Sequence, residues 1–198
     1  MSSLTRKQIK REQLLDYGVQ ALMNQGYHGT GLKEVLDSVN IPKGSFYNYF
    51  DNKEQFAAEA VGHYIEPFIQ RLTGHLQNPE LDGLGVLKRY YAELIVEVEL
   101  ADYKGGCLLG NLIGEVGDTS EICRCSLLTT VERYARLQES ALVRGQQEGT
   151  VRTDRSAKSM ANLLLNGWQG ALLRMKIQRS TAPLEECCST LLDDYFKA

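Results

Sequence analysis

Apolar residues in this chain recur at spacings of three and four along nearly its whole length, and that period confines it to an all-α fold. Leu15, Val19, Leu22 and Met23 stripe a segment from Arg6 to Gln25, which Gly26 is placed to stop. Leu32, Val35, Leu36 and Val39 repeat the pattern behind Thr30, a candidate cap. Asn40-Ile41-Pro42 then breaks the helix, because proline disfavours helix in the residue before it. A third short helix is expected over Lys43 to Phe50. Asp51 or Asn52 is placed to cap a fourth, with Glu54 positioned for a capping box. That helix should reach Leu76 and kink at Pro67. After a loop at NPELDGLG (Asn78–Gly85), helices are expected over 87–98, 107–116 and 120–148. Two more should run from Asp154 to about 178 and from Pro183 to about 197. Strand-like alternation flanked by hairpin turns does not occur.

Composition narrows the function classes. No apolar run approaches the ~18 residues of a membrane span, and MSSLTRKQIKREQLL is basic without an apolar signal core. A cytoplasmic protein that does not enter the membrane is expected. The five cysteines, Cys107, Cys123, Cys125, Cys187 and Cys188, are odd in number and form no CxxC. With His28, His63 and His75 out of metal-type spacing, neither a disulfide framework, a metal nor a cofactor is expected. Residues 1–53 carry seven Lys/Arg and five Asp/Glu, whereas 54–198 carry fifteen and twenty. A mildly basic head on an acidic body suits a small nucleic-acid module carried by a larger domain.

The head contains an unusual run, IPKGSFYNYFDNKEQF (Ile41–Phe56), too polar for a buried helix and too aromatic for a solvated loop. A helix, a three-residue break and a second short helix describe a helix-turn-helix. Gly44 lets backbone come close to a partner, and Lys43 adds charge. Ser45, Tyr47, Asn48 and Tyr49 can hydrogen-bond to phosphates or base edges, while Phe46 and Phe50 can anchor the segment inward. The longer run GYHGTGLKEVLDSVNIPKGSFYNYFDNKEQF (Gly26–Phe56) resembles the N-terminal domain of TetR/AcrR-family transcriptional regulators. The resemblance implies a DNA-binding domain over 1–53 and a ligand-sensing and dimerisation domain over 54–198. It implies a homodimer on palindromic double-stranded operator DNA, joined through the last two helices, about 154–178 and 183–197. Thr30, Lys33, Lys43, Gly44, Tyr47, Tyr49 and Lys53 fall where the family touches phosphates. Ser45 and Asn48 are the candidates for base contact. The chain departs from the family at Gly31, where a second Thr is common, at Asn40 in place of the turn glycine, and at Pro42 in place of a Ser cap. Asparagine tolerates the left-handed backbone that such a turn requires.

For the body the resemblance implies release from DNA by a small-molecule inducer. Tyr64, Phe68, Tyr90, Tyr91, Leu94, Asn111, Tyr134, Asn166 and Trp168 could line a mostly apolar pocket or simply form core. KGGCLLGNL (Lys104–Leu112) places Cys107 at the start of a short helix, where a thiolate is favoured. This segment, the PKGSFY run and Lys176 resemble an electrophile-sensing branch of the family. The branch implies a redox-active Cys107 with Lys176 beside it. Packing is the alternative role for Cys107 and the expected role of the other four cysteines, with an intersubunit disulfide at Cys187 or Cys188 left open under oxidation. Two other classes of function compete. A non-transcriptional DNA-binding adaptor would occupy many genomic sites. A Cys107-dependent thiol enzyme would need a base or resolving group, which no Cys/His pairing supplies, so the expectation is of a protein that is not an enzyme.

Overall fold

The computed structural model describes residues 5–198; Met1–Leu4, part of the basic N-terminus, lie outside them. The chain divides into two compact units. The first takes the chain through Glu66 together with Cys107–Thr130, and the second holds Pro67–Gly106 with Val131–Ala198. The division expected at 53/54 lies at the start of the helix Lys53–Leu76, and the boundary of the compact units, Glu66/Pro67, lies within that helix.

In the first unit, α1 (Arg6–Gly29) starts at a capping box: the Thr5 hydroxyl accepts from Gln8 N at 3.3 Å, and the Gln8 side chain accepts from Thr5 N at 2.8 Å. It buries Leu14, Leu15, Ala21 and Leu22. Gly26 breaks the helix with φ 72° and ψ 178°, but a further turn follows it through Gly29. α2 (Leu32–Ser38) buries Val35 and Leu36. Its N-cap is Gly31, with no side-chain cap. Thr30 therefore does not cap α2: it is buried, and its hydroxyl donates to the Gly26 carbonyl at 2.7 Å. Asn40 adopts φ 54°, the left-handed turn conformation expected of it. The segment after the turn is a 3₁₀ helix over Lys43–Asn48, not an α-helix. Gly44, Ser45 and Asn48 are poor α-helix formers, and Pro42 offers no side-chain cap, so a short tight coil results.

Phe46, Phe50 and Phe56 form an inward cluster with ring centroids 5.1–6.1 Å apart. Gly18 on α1 admits the Phe56 ring, which a Cβ there would overlap. α3 (Lys53–Leu76) is capped by Asn52, whose side chain accepts from Gln55 N at 2.7 Å. The capping residue thus engages Gln55, and Glu54 forms no capping box. α5 (Leu108–Val116) packs on α1, and α6 (Glu121–Gln147) begins in this unit.

In the second unit α3 continues past Pro67. α4 (Gly83–Leu100) begins inside the expected loop because Asp82 caps it, accepting from Gly85 N at 2.7 Å. Arg144 on α6 donates to the carbonyls of Leu76 and Leu81. α7 (Ala157–Gln178) starts at Ser156, not Asp154; the Ser156 hydroxyl accepts from Ser159 N at 3.1 Å, while Arg152 holds Asp154 at 2.6 Å. α8 (Ala182–Cys188) opens with proline and runs into a π-helix over Ser189–Tyr195. It packs against α7 and α4.

Candidate nucleic-acid interface and sensor residues

The 3₁₀ segment sorts its side chains by chemistry. Phe46 is 1% exposed and Phe50 2%, whereas Tyr47 is 70% exposed. Gly44 and Asn48 are exposed, and Ser45 and Tyr49 half-buried. Space around Gly44 is open: a Cβ there would meet nothing within 4 Å. Lys33 on α2 is exposed. Lys43 has a described backbone, but its side chain lies outside what the structure describes. Lys53 sits over the Tyr27 ring, 4.6 Å from its centroid. Partial burial lowers the Lys53 pKa, and Glu115 opposes that shift.

A feature absent from the sequence reading lies at the Gly26 break. The Glu115 carboxylate of α5 accepts from Tyr27 N at 2.8 Å and from His28 N at 3.4 Å. It answers the amides that begin the last turn of α1, as a cap residue would. A Cβ at Gly26 would meet this carboxylate at 2.5 Å, so both the backbone angle and the space require glycine. Thus α5 is fastened to the turn that leads into α2.

The second unit gathers the pocket candidates Tyr90, Tyr91, Leu94, Tyr134 and Trp168, all buried. Tyr134 donates to the Tyr90 hydroxyl at 2.8 Å, and Tyr91 donates to Gln138 Oε1 at 3.0 Å. Trp168 meets Tyr91 edge-on, 4.7 Å between ring centroids. Burial, and next the neighbouring Tyr90, push the Tyr91 phenol well above its ordinary range. His75 pairs with Glu93 at 2.9 Å. Phe68 is half-buried in this unit, and Tyr64 and Asn111 are half-buried in the first. Asn166 is exposed and faces outward on α7, whose inward face is taken by Leu164, Leu165 and Trp168.

Cys107 is the N-cap of α5, as expected from its place after two glycines. Asp102, Tyr103, Gly105 and Gly106 before it all have positive φ. Lys176 packs on Gly106, the residue bonded to Cys107: a Cβ there would meet Lys176 Cδ at 3.2 Å and Nζ at 3.4 Å. Among the described residues no disulfide joins the five cysteines, and no three His, Cys, Asp or Glu side chains cluster as metal ligands.

Known proteins match both parts of the chain. Residues 14–60 match the family described as bacterial regulatory proteins, tetR family, and residues 83–191 match the tetracyclin repressor-like C-terminal domain. The chain belongs to the TetR family. It is similar to the HTH-type transcriptional repressor DhaR of Mycobacterium sp. (strain GP1), 30% identical over 92% of this chain and 90% of that one. The HTH-type transcriptional repressor NemR of Escherichia coli K12 is 34% identical over 88% of each. The crystal structure of E. coli NemR in reduced form superposes with a TM-score of 0.84 at 31% identity, covering 96% of this chain and 97% of the other. The all-α TetR fold, with its N-terminal helix-turn-helix, is therefore the frame in which these residues act. No helix among the described residues is long and apolar enough to cross a membrane.

Sequence reasoning passed over Gln138, Arg71 and Glu115. Gln138 had a signal: it stands four residues after Tyr134 on the same face of an otherwise apolar stripe. Glu115 had none, since its partner is backbone 88 residues away.

Proposed function

We propose that this TetR-family regulator is a homodimeric repressor that holds a palindromic double-stranded operator and releases it when a small molecule or an electrophile acts on the body. The sorting of side chains along residues 43–50 carries this reading. Aromatic anchors point in while Gly44, Tyr47 and Asn48 point out, which suits a segment laid in the major groove. In this reading Lys33, Lys43, Gly44, Tyr47, Tyr49 and Lys53 touch phosphates, and Ser45 and Asn48 read base edges. The Thr30 hydroxyl is already committed to Gly26, so that residue acts by shaping the turn. Repression is favoured over activation by the names of both relatives, DhaR and NemR.

Dimerisation is supported by the outward face of α7. Leu163, Asn166, Gly170, Leu173 and Ile177 are exposed at alternating spacings of three and four, with Ile177 83% exposed. A stripe of this kind suits a helix seam with a second copy.

Release by an electrophile is supported at Cys107 by its place at the N-cap of α5. With an activated alkene, the Cys107 sulfur forms a bond to the β-carbon and the proton ends on the α-carbon. No turnover follows, so the reading assigns no catalysis. Four thiols have their pKa values raised. Burial raises Cys123, Cys187 and Cys188, the last to about 12, and the hydrogen bond to Glu121 raises Cys125. Brief maleimide labelling at neutral pH, mapped by peptide mass, should mark Cys107 first and Cys188 last.

The deciding test is binding of purified, reduced protein to the DNA upstream of its own gene. Affinity should fall by orders of magnitude as salt rises from about 50 to about 200 mM. A maleimide should then abolish binding in the wild type and spare Cys107→Ser. Equal loss in both proteins would remove Cys107 from the reading and leave a reversible ligand. Absence of any specific upstream site would overturn the repressor reading itself.

A further inference from the structure

The turn that leads from α2 into the 3₁₀ segment is closed in part by a side chain of α1. Asn40 N donates to Asp37 O at 3.2 Å and Ile41 N to Leu36 O at 2.9 Å, the pair of bonds that ends a helix whose next residue is left-handed. Leu36 and Ile41 are both buried. The Ser38 hydroxyl donates to Val35 O at 2.7 Å. The carbonyl of Val39, the C-cap of α2, is taken from another helix: Lys10 Nζ donates to it at 3.0 Å. Lys10 is half-buried there, while Arg6 and Lys7, about one turn earlier on α1, are exposed.

We infer that Lys10 is a positioning residue for DNA reading: its ammonium fixes the turn that sets the 3₁₀ segment against α2. The Val39 carbonyl lies in the same rigid plane as the Asn40 nitrogen. A bond to that oxygen therefore restrains the rotation that holds Asn40 at φ 54°, a conformation asparagine adopts less readily than glycine. The carbonyl end of a helix carries partial negative charge, which favours a cation at this place, and the bond is charge-assisted. Lys10 thus differs in role from the exposed cations beside it. Its charge is turned to the chain's own backbone, whereas theirs is open to a phosphate. The inference deepens the operator reading above and rests on it for the consequence in DNA binding; the hold on the turn stands without it.

Lys10→Met keeps the apolar stem and removes the ammonium. Without DNA, hydrogen exchange at the Asn40 and Ile41 amides should quicken about tenfold in this variant. Binding to the DNA upstream of the gene would then be titrated from about 50 to about 200 mM salt. Affinity should fall about tenfold at every salt concentration with the salt slope unchanged, because no phosphate contact is lost. Adding Asn40→Gly, which has no Cβ to strain at this φ, should restore the affinity of Lys10→Met. Exchange that stays constant would overturn the hold on the turn. A salt slope flattened by about one would make Lys10 a phosphate contact and overturn the positioning role. So would a loss of affinity that Asn40→Gly leaves in place. A wild type with no specific upstream site would remove the operator reading, and the exchange rates would still sustain or overturn the hold by themselves.

Discussion

The two units treat their aromatic residues in opposite ways. The first packs Phe46, Phe50 and Phe56 into a buried cluster and leaves Tyr47, a hydrogen-bonding aromatic, 70% exposed. The second draws Tyr90 and Tyr91 fully inside and pairs their hydroxyls with Tyr134 and Gln138. In the reading proposed above, the contrast follows from what each unit binds. A long polyanion is met at the surface, where polar groups lose little by waiting in water. A small molecule gains affinity only where water is excluded, so its polar contacts must be preset inside.

The comparison breaks most severely at the buried phenylalanine cluster. Phe46→Ala should cost about 3–5 kcal/mol of stability, lower the melting temperature and abolish operator binding together. Next comes the tie between α5 and α1. Glu115→Ala removes the acceptor from two amides and should cost about 1–2 kcal/mol. Hydrogen exchange should accelerate at Tyr27 and His28, and operator affinity should fall with it. Unchanged exchange there would show that the carboxylate holds nothing. Tyr47→Ala sharpens the contrast, because it should weaken operator binding roughly tenfold with no change in melting temperature.

The smallest effect belongs to the second unit and depends on pH. Hydrogen bonds from Arg144 and from Gly83 N hold the Glu148 carboxyl below its ordinary range. A depressed acid adds stability above its unfolded pKa, and that share is lost as pH falls through the lower folded value. The melting temperatures of wild type and Glu148→Gln should therefore differ most near neutrality and converge below about pH 4. A gap that stays constant across that range would show that the ion pair contributes nothing.

Much of this was legible in one dimension. The turn at Asn40-Ile41-Pro42, the inward Phe46 and Phe50, and the outward Tyr47 follow from local rules of backbone and period. Local errors also have local causes. A helix was expected at 43–50, but Gly44, Ser45 and Asn48 tightened it into a 3₁₀ coil. Ser156, and not Asp154, begins α7 because Arg152 claims the aspartate first. Asn166 was a candidate for a pocket or for core; it is exposed on the outward face of α7.

What the sequence by itself determined is the all-helical plan, the helix-turn-helix and the place of Cys107 at the start of α5. These depend on residues within about one or two turns of each other, so spacing is enough to read them. Only the tertiary structure decided that Glu115 caps the Tyr27 amide, that Lys176 lies over Gly106, and that Gln138 is buried against Tyr91 with an unpaired Nε2. Each of these depends on which groups of distant helices are brought together and withdrawn from water, and that is a property of the packed chain.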